Sequence, residues 1–243
     1  MTQGFFSYGE AETSWLSSRD RRLGEAIARI GHIDRPVDTD LFSSVVHHIV
    51  GQQISTRAQQ TIWARLGEML GTVSPAAVAD TSRERLQSCG MTFRKADYIK
   101  EFSEKAVRGD FDLDAVAAMP DADAIAALAS LKGIGVWTAE MILLFCLQRP
   151  DILSHDDLAI QRGMRMLYRH RRIDRDLFER LRRRYSPFGS VASLYLWAVA
   201  GGAIPGLEDP VPSKPKGACN HRISRHLPSS MAEYFSKTWW TEL

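Results

Sequence analysis

The chain has 243 residues, of which 44% are hydrophobic and 25% charged, enough for one large or two small domains around an apolar core. That composition excludes a disulfide-framed miniprotein and a disordered tail. Lysine and arginine total 31 against 29 acidic residues, and a net charge of +2 does not by itself announce a nucleic-acid partner.

The three cysteines, Cys89, Cys146 and Cys219, are too widely spaced for a zinc knuckle and too few for an iron–sulfur cluster. They are expected as free thiols in a reducing compartment. Residues Met1 to Glu10 show no basic segment followed by an apolar one, so no secretory signal is expected. The most apolar run, Val191 to Ile204, falls short of the roughly 20 residues of a membrane span. A soluble intracellular protein is the expectation.

From Thr39 onward the sequence reads as helices joined by short loops. Thr39-Asp40 can cap a helix whose stripe is Leu41, Phe42, Val45, Val46, Ile49 and Val50. Gly51-Gln52-Gln53-Ile54 breaks that pattern, and Ser55 is an N-cap for a helix carrying Ala58, Ile62, Leu66 and Met69 to a stop at Gly71. Ser74-Pro75 starts a short helix. Thr81 and Glu84 have capping-box spacing, and Gly90 ends that helix. Helices follow at about Arg94 to Val107, from Pro120-Asp121 with Ile125 and Leu128 inward, and from Val136 to about Leu147. Others are predicted from Asp157 to Tyr168, Asp176 to Tyr185 and Ser190 to Ala200. No stretch alternates long enough to demand a sheet. Four prolines make residues Pro205 to Pro215 an expected extended connector, and the tail from Lys216 is poorly patterned.

Leu131-Lys132-Gly133-Ile134-Gly135 leaves almost no room for a loop between two helices. Glycines one residue apart permit a tight turn and leave backbone N–H groups unshielded. With the next helix N-terminus beside them, those groups form an anion site suited to a phosphodiester. The plainer alternative is a helix–helix turn that merely uses glycine. A second charged feature is the run containing Arg162, Arg165, Arg169, Arg171, Arg172, Arg175, Arg180, Arg182, Arg183 and Arg184. It either meets phosphates or is a solvated helical surface. His47 and His48 read as polar residues between helices, since no third ligand accompanies them.

Leu131 to Ala139 resembles the helix-hairpin-helix of the DNA glycosylase superfamily named for that hairpin and for a Gly/Pro-rich loop ending in aspartate. Ile49 to Ser55 resembles the Gln-Gln segment of its alkylbase branch, the 3-methyladenine DNA glycosylase II type. Ser154 to Gln161 resembles the aspartate loop, and Ser190 to Trp197 the branch's late helix.

The resemblance implies an all-α fold of two helical lobes with the active site in the cleft between them, lacking the extra N-terminal β domain of longer relatives. Residues 41–149 would form one lobe, and residues 1–40 with 150–243 the other. It assigns Asp157 the catalytic role; spacing alone would equally make Asp156 or Asp157 a helix cap. His155 reads as a loop polar residue. Leu131, Lys132, Gly133, Ile134, Gly135, Val136 and Thr138 become candidate DNA-backbone contacts. Trp137, Met141 and Trp197 become the base pocket, with core packing the alternative for either tryptophan. Gln52, Gln53, Ile54 and Ser55 supply the wedge; Ser55 is small for it, and the glutamines alternatively fix the loop.

Lyase members carry a lysine where Trp137 stands, so a monofunctional enzyme is implied, acting as a monomer on damaged double-stranded DNA. Alkylated purines are the implied substrates. Deaminated, etheno or oxidised bases, or a non-catalytic helix-hairpin-helix DNA tether, are the alternatives. No cofactor is required and no metal is held by side chains, although the hairpin carbonyls can hold a sodium or potassium ion. The expected location is the cytoplasm with the nucleoid in a bacterium, or the nucleus in a eukaryote.

Overall fold

A computed structural model describes residues 4–38 and 40–211. The elements run, in chain order, β1 (Gly4–Phe5), α1 (Glu10–Arg19), α2 (Arg21–Ile30), β2 (Pro36–Val37), α3 (Leu41–Gly51), α4 (Thr56–Leu70), α5 (Pro75–Ala79), α6 (Arg83–Ser88) and α7 (Phe93–Arg108). They continue with α8 (Leu113–Ala118), α9 (Asp121–Ala129), α10 (Val136–Phe145), α11 (Leu158–Tyr168), α12 (Arg175–Tyr185) and α13 (Gly189–Ala200). The strands make one short antiparallel pair, Gly4 opposite Val37 and Phe5 opposite Pro36. The fold is all-α apart from that pair.

Side-chain caps set most of the boundaries. Asp40, Ser55, Ser74, Thr92, Asp112 and Asp174 each accept the backbone N–H three residues ahead, which satisfies one of the orphan donors of a first turn. The expected box at Thr81 and Glu84 is displaced by one residue. Ser82 caps α6 through the Arg85 N–H, while the Thr81 hydroxyl donates back to the Ala77 carbonyl at 2.8 Å. The structure adds helices α1, α2 and α8 to those the sequence predicts. In α9 the buried stripe is Ala124 and Leu128, with Ile125 only half-buried.

The described residues fall into two compact units, 4–7 with 34–152 and 8–33 with 153–211. In the first, α3 is central: Val45, Val46, Ile49 and Val50 are fully buried, and Phe42 stacks on Phe102 of α7 with centroids 5.0 Å apart. Helix α10 adds Ile142, Leu143 and Leu144. His48 Nδ1 donates to the Ser44 carbonyl at 2.8 Å, and the His47 ring lies 4.8 Å from Trp63. In the second unit α13 is buried along its whole length and packs against α1, α2, α11 and α12. A helix apolar all round can only be interior.

Cys89 and Cys146 are buried free thiols, and burial pushes the Cys146 pKa up to about 12. Pro205 lies in a turn closed by the Leu207 N–H on the Ile204 carbonyl, and Asp209 is held by Arg165. The connector is thus pinned up to residue 211. Pro212, Pro215, Cys219 and the tail from Lys216 lie outside the described residues. No helix among the described residues is long and apolar enough to cross a membrane.

Candidate active site

In the first unit the hairpin joins α9 to α10. Leu131 and Ile134 are buried anchors, and the Ile134 N–H closes on the Leu131 carbonyl at 3.1 Å. Gly133 alone of the two hairpin glycines has a left-handed backbone, φ 88°. A Cβ there would also stand 2.6 Å from the Tyr98 ring, so the position is closed to side chains twice over. Gly135 has an ordinary φ and open space around it. What its missing side chain provides is access: it is the N-cap of α10, exposed, and leaves the helix N-terminus without a side-chain lid. Val136 is exposed, Trp137 half-buried, and Thr138 and Met141 buried. Lys132 is 63% exposed and pairs with Glu101 at 2.7 Å.

The Gln-Gln segment lies in the same unit. Gln52 Nε2 donates to the Gly133 carbonyl, tying this loop directly to the hairpin. Gln53 adopts a left-handed φ of 57°, rare outside glycine, and is exposed. Ile54 is half-buried, and Ser55 is exposed while capping α4. The structure therefore separates the two glutamines: Gln52 fixes the loop and Gln53 projects from it.

Three further residues support these features. Lys95 Nζ donates to the carbonyls of Val50 at 2.8 Å and Gln52 at 2.6 Å, where α3 ends. Burial lowers its pKa. Tyr98 underlies Gly133, and Glu101 pairs with Lys132. Spaced three apart on α7, they share one helical face. Sequence reasoning missed them because a lysine, a tyrosine and a glutamate on an amphipathic helix carry no signal of what they face.

In the second unit Asp157 is the N-cap of α11. Its Oδ1 accepts the N–H groups of Ala159 and Ile160 at 2.8 and 2.9 Å, and the indole N–H of Trp197 at 3.2 Å. Asp157 is 3% and Trp197 7% exposed. The adjacent Asp156 is 79% exposed and pairs with His155 Nδ1 at 2.9 Å. His155 in turn accepts from Gln161 Nε2 at 2.6 Å through its carbonyl. Two neighbouring carboxylates thus differ completely: one is buried and oriented by three donors, the other is at the surface. The cap and the candidate catalytic group are the same side chain. Trp197 comes to Asp157 because α11 lies backbone-on-backbone against α13, where a Cβ on Gly163 would stand 2.3 Å from the Leu196 carbonyl oxygen. Trp137 and Met141 belong to the other unit.

The chain belongs to the HhH-GPD superfamily of base excision DNA repair proteins, whose pattern matches residues 46–187. That range takes in the Gln-Gln loop, the hairpin and Asp157, and stops before Trp197. The protein is 29% identical over 161 residues to DNA-3-methyladenine glycosylase 1 of Schizosaccharomyces pombe, covering 64% of this chain and 71% of that one. Its fold matches a DNA-3-methyladenine glycosidase of Bacillus halodurans with a TM-score of 0.74 and 34% identity, over 81% of this chain and 92% of that one. It also shares its fold with a Schizosaccharomyces pombe 3-methyladenine DNA glycosylase in complex with abasic DNA: TM-score 0.69, 24% identity, 81% of this chain and 98% of that one.

Proposed function

We propose that the protein is a monofunctional DNA glycosylase. It hydrolyses the N-glycosidic bond of flipped-out alkylated purines, of the 3-methyladenine and 7-methylguanine type, in duplex DNA. The observation that carries this reading is Asp157, a buried carboxylate oriented by three N–H donors within a base excision repair family. The names of its relatives support the alkylated-base substrate.

The chemistry needs the base out of the stack. Gln53, exposed on a left-handed backbone, with Ile54 beside it, fills the gap left behind. The open N-terminus of α10 at Gly135 binds the strand through a phosphate, with Lys132 adding charge. As the bond from C1′ to the base nitrogen lengthens, positive charge grows on the sugar. The Asp157 carboxylate stabilises that charge and orients the water that attacks C1′. The products are the free base and an abasic site.

A methylated purine carries positive charge. It therefore leaves readily and is attracted to an indole face, for which Trp137 and Trp197 are the candidates. Strand cleavage through a Schiff base would need an amine beside the sugar. Trp137 stands at that place, and Lys132 is engaged with Glu101.

The scheme needs no organic cofactor and no second copy of the chain. A sodium or potassium ion at the hairpin would use the second lone pairs of the Leu131 and Gly133 oxygens, each of which already accepts one N–H, and would supply countercharge to the phosphate. The same reading locates the protein with the chromosome, in bacterial cytoplasm or a eukaryotic nucleus.

The test is incubation with duplexes carrying methylated, deaminated, etheno and oxidised bases. The expected result is release of methylated purines, with strands breaking only after alkali. Asp157→Asn is expected to lose about 100-fold or more in excision while still binding duplex. Borohydride trapping of a protein–DNA adduct, or near-normal turnover by the Asn variant, overturns the reading.

A further inference from the structure

The scheme above leaves the arginine run unused. Between residues 169 and 184 lie eight arginines and three carboxylates, an excess of five positive charges in a chain whose net charge is +2. All the rest of the molecule is therefore slightly acidic, and its positive surplus is concentrated here.

The fold shows which of these cations are committed. Arg184 pairs with the buried Asp20 at 3.1 Å, and Arg175 with Glu179 at 3.2 Å. Arg169, Arg171, Arg172, Arg180 and Arg183 are exposed and have no ion pair among the described residues. Their placement follows from the packing of α12. Phe178, Leu181 and Tyr185 turn inward, which sets Asp176, Arg180 and Arg183 on the opposite stripe. Arg169, Arg171 and Arg172 occupy the turn that leads into this helix, where Arg169 has a left-handed φ of 58°. Asp174, the nearest other carboxylate, is occupied in capping α12. Asp176 is the one carboxylate of residues 169–184 on that outer stripe, and Asp174 adds a negative charge at the turn.

We propose that this turn and the outer stripe of α12 form a second phosphate-binding surface for duplex DNA, distinct from the hairpin. Guanidinium groups grip phosphates in pairs of hydrogen bonds, and a duplex presents about one charge every 1.7 Å of axis. Asp157 and Arg169 cap the two ends of α11, so at 1.5 Å per residue they lie roughly 18 Å apart along the helix. That is the length of about five base pairs. The surface thus meets backbone away from the flipped nucleotide, and what it adds is affinity for DNA of any sequence during the search for damage. This rests on the glycosylase reading for its biological role, but not for its chemistry.

The test compares the full chain with a variant carrying R171Q, R172Q, R180Q and R183Q, and with the matching lysine variant. The readouts are binding to an undamaged 30-base-pair duplex across a salt series and single-turnover excision of a methylated purine at saturating protein. The glutamine variant is expected to bind undamaged duplex at least tenfold more weakly at low salt. Its log–log salt slope should be shallower by about 2 to 4, since each lost phosphate contact removes about 0.9. Excision at saturation should stay within about twofold, and the lysine variant should recover most of the affinity. Unchanged affinity and slope overturn the proposal, as does tighter binding to phosphatidylserine vesicles than to duplex. If neither protein excises any base but the glutamine variant still loses duplex binding, the surface stands and the glycosylase reading falls.

Discussion

Asp157 is both a helix cap and the candidate catalytic anion, and the two roles separate by substitution. Asparagine keeps an acceptor oxygen for the Ala159 and Ile160 N–H groups but removes the charge, whereas alanine removes both. Asp157→Asn is expected to unfold within about 0.5 kcal/mol of the parent, and Asp157→Ala about 1 to 2 kcal/mol below it, in urea titrations. Both should lose excision. His47 makes a separate prediction. Burial, then the charge of His48, lowers its pKa to about 4 against Asp38, which acts the other way. The folded-state value lies below the unfolded one near 6.5, so between them the unfolded chain binds the extra proton. Stability should therefore fall as pH drops through that window, and His47→Gln should make the urea midpoint less sensitive to pH there. At this scale the sequence pointed to the right loop but left Asp156 and Asp157 as alternative caps. Only the fold shows one buried and the other at the surface, because burial depends on what α13 brings alongside.

Among the elements, α7 has the least conspicuous sequence for the part it plays. Its Lys95, Tyr98 and Glu101 reach the end of α3, the underside of Gly133 and the Lys132 ammonium in turn. Lys95→Met removes two donors from the carbonyls of Val50 and Gln52. It is expected to cost about 1 to 3 kcal/mol in thermal unfolding and to cut excision by tenfold or more, with Lys95→Arg recovering part of both. Undamaged-duplex affinity, which the proposals above assign to the hairpin and the arginines, should change little. Boundaries marked by Ser, Thr or Asp caps were legible from local chemistry alone. The Thr81 cap is not legible because Thr81 and Ser82 are both competent caps, and the Ala77 carbonyl claims the first. Helix α8 is six residues long and sits behind Asp112, too short for a periodic pattern to register.

For the molecule as a whole, the chain order matters more than the composition. Residues 4–7 with 34–152 form one unit and residues 8–33 with 153–211 the other, so the hairpin and Asp157 stand on different units. The chain passes between the units after residues 7, 33 and 152, and just before the last of these Arg149 is anchored to the Ala117 and Met119 carbonyls at 2.6 and 2.9 Å. The family resemblance implies a grouping of residues 1–40 with 150–243, while residues 8–33 on their own carry no motif from which it could be read.

The left-handed turn at Gln53 has a thermodynamic corollary. A side chain held in that region of backbone space costs on the order of 1 kcal/mol, which glycine would not incur. Gln53→Gly should leave the protein as heat-resistant as before, or slightly more so, and make it a poorer enzyme on paired DNA than on a base already unpaired. If Gln53 is the wedge proposed above, what its backbone costs in robustness is returned only when a helix of DNA is pried apart.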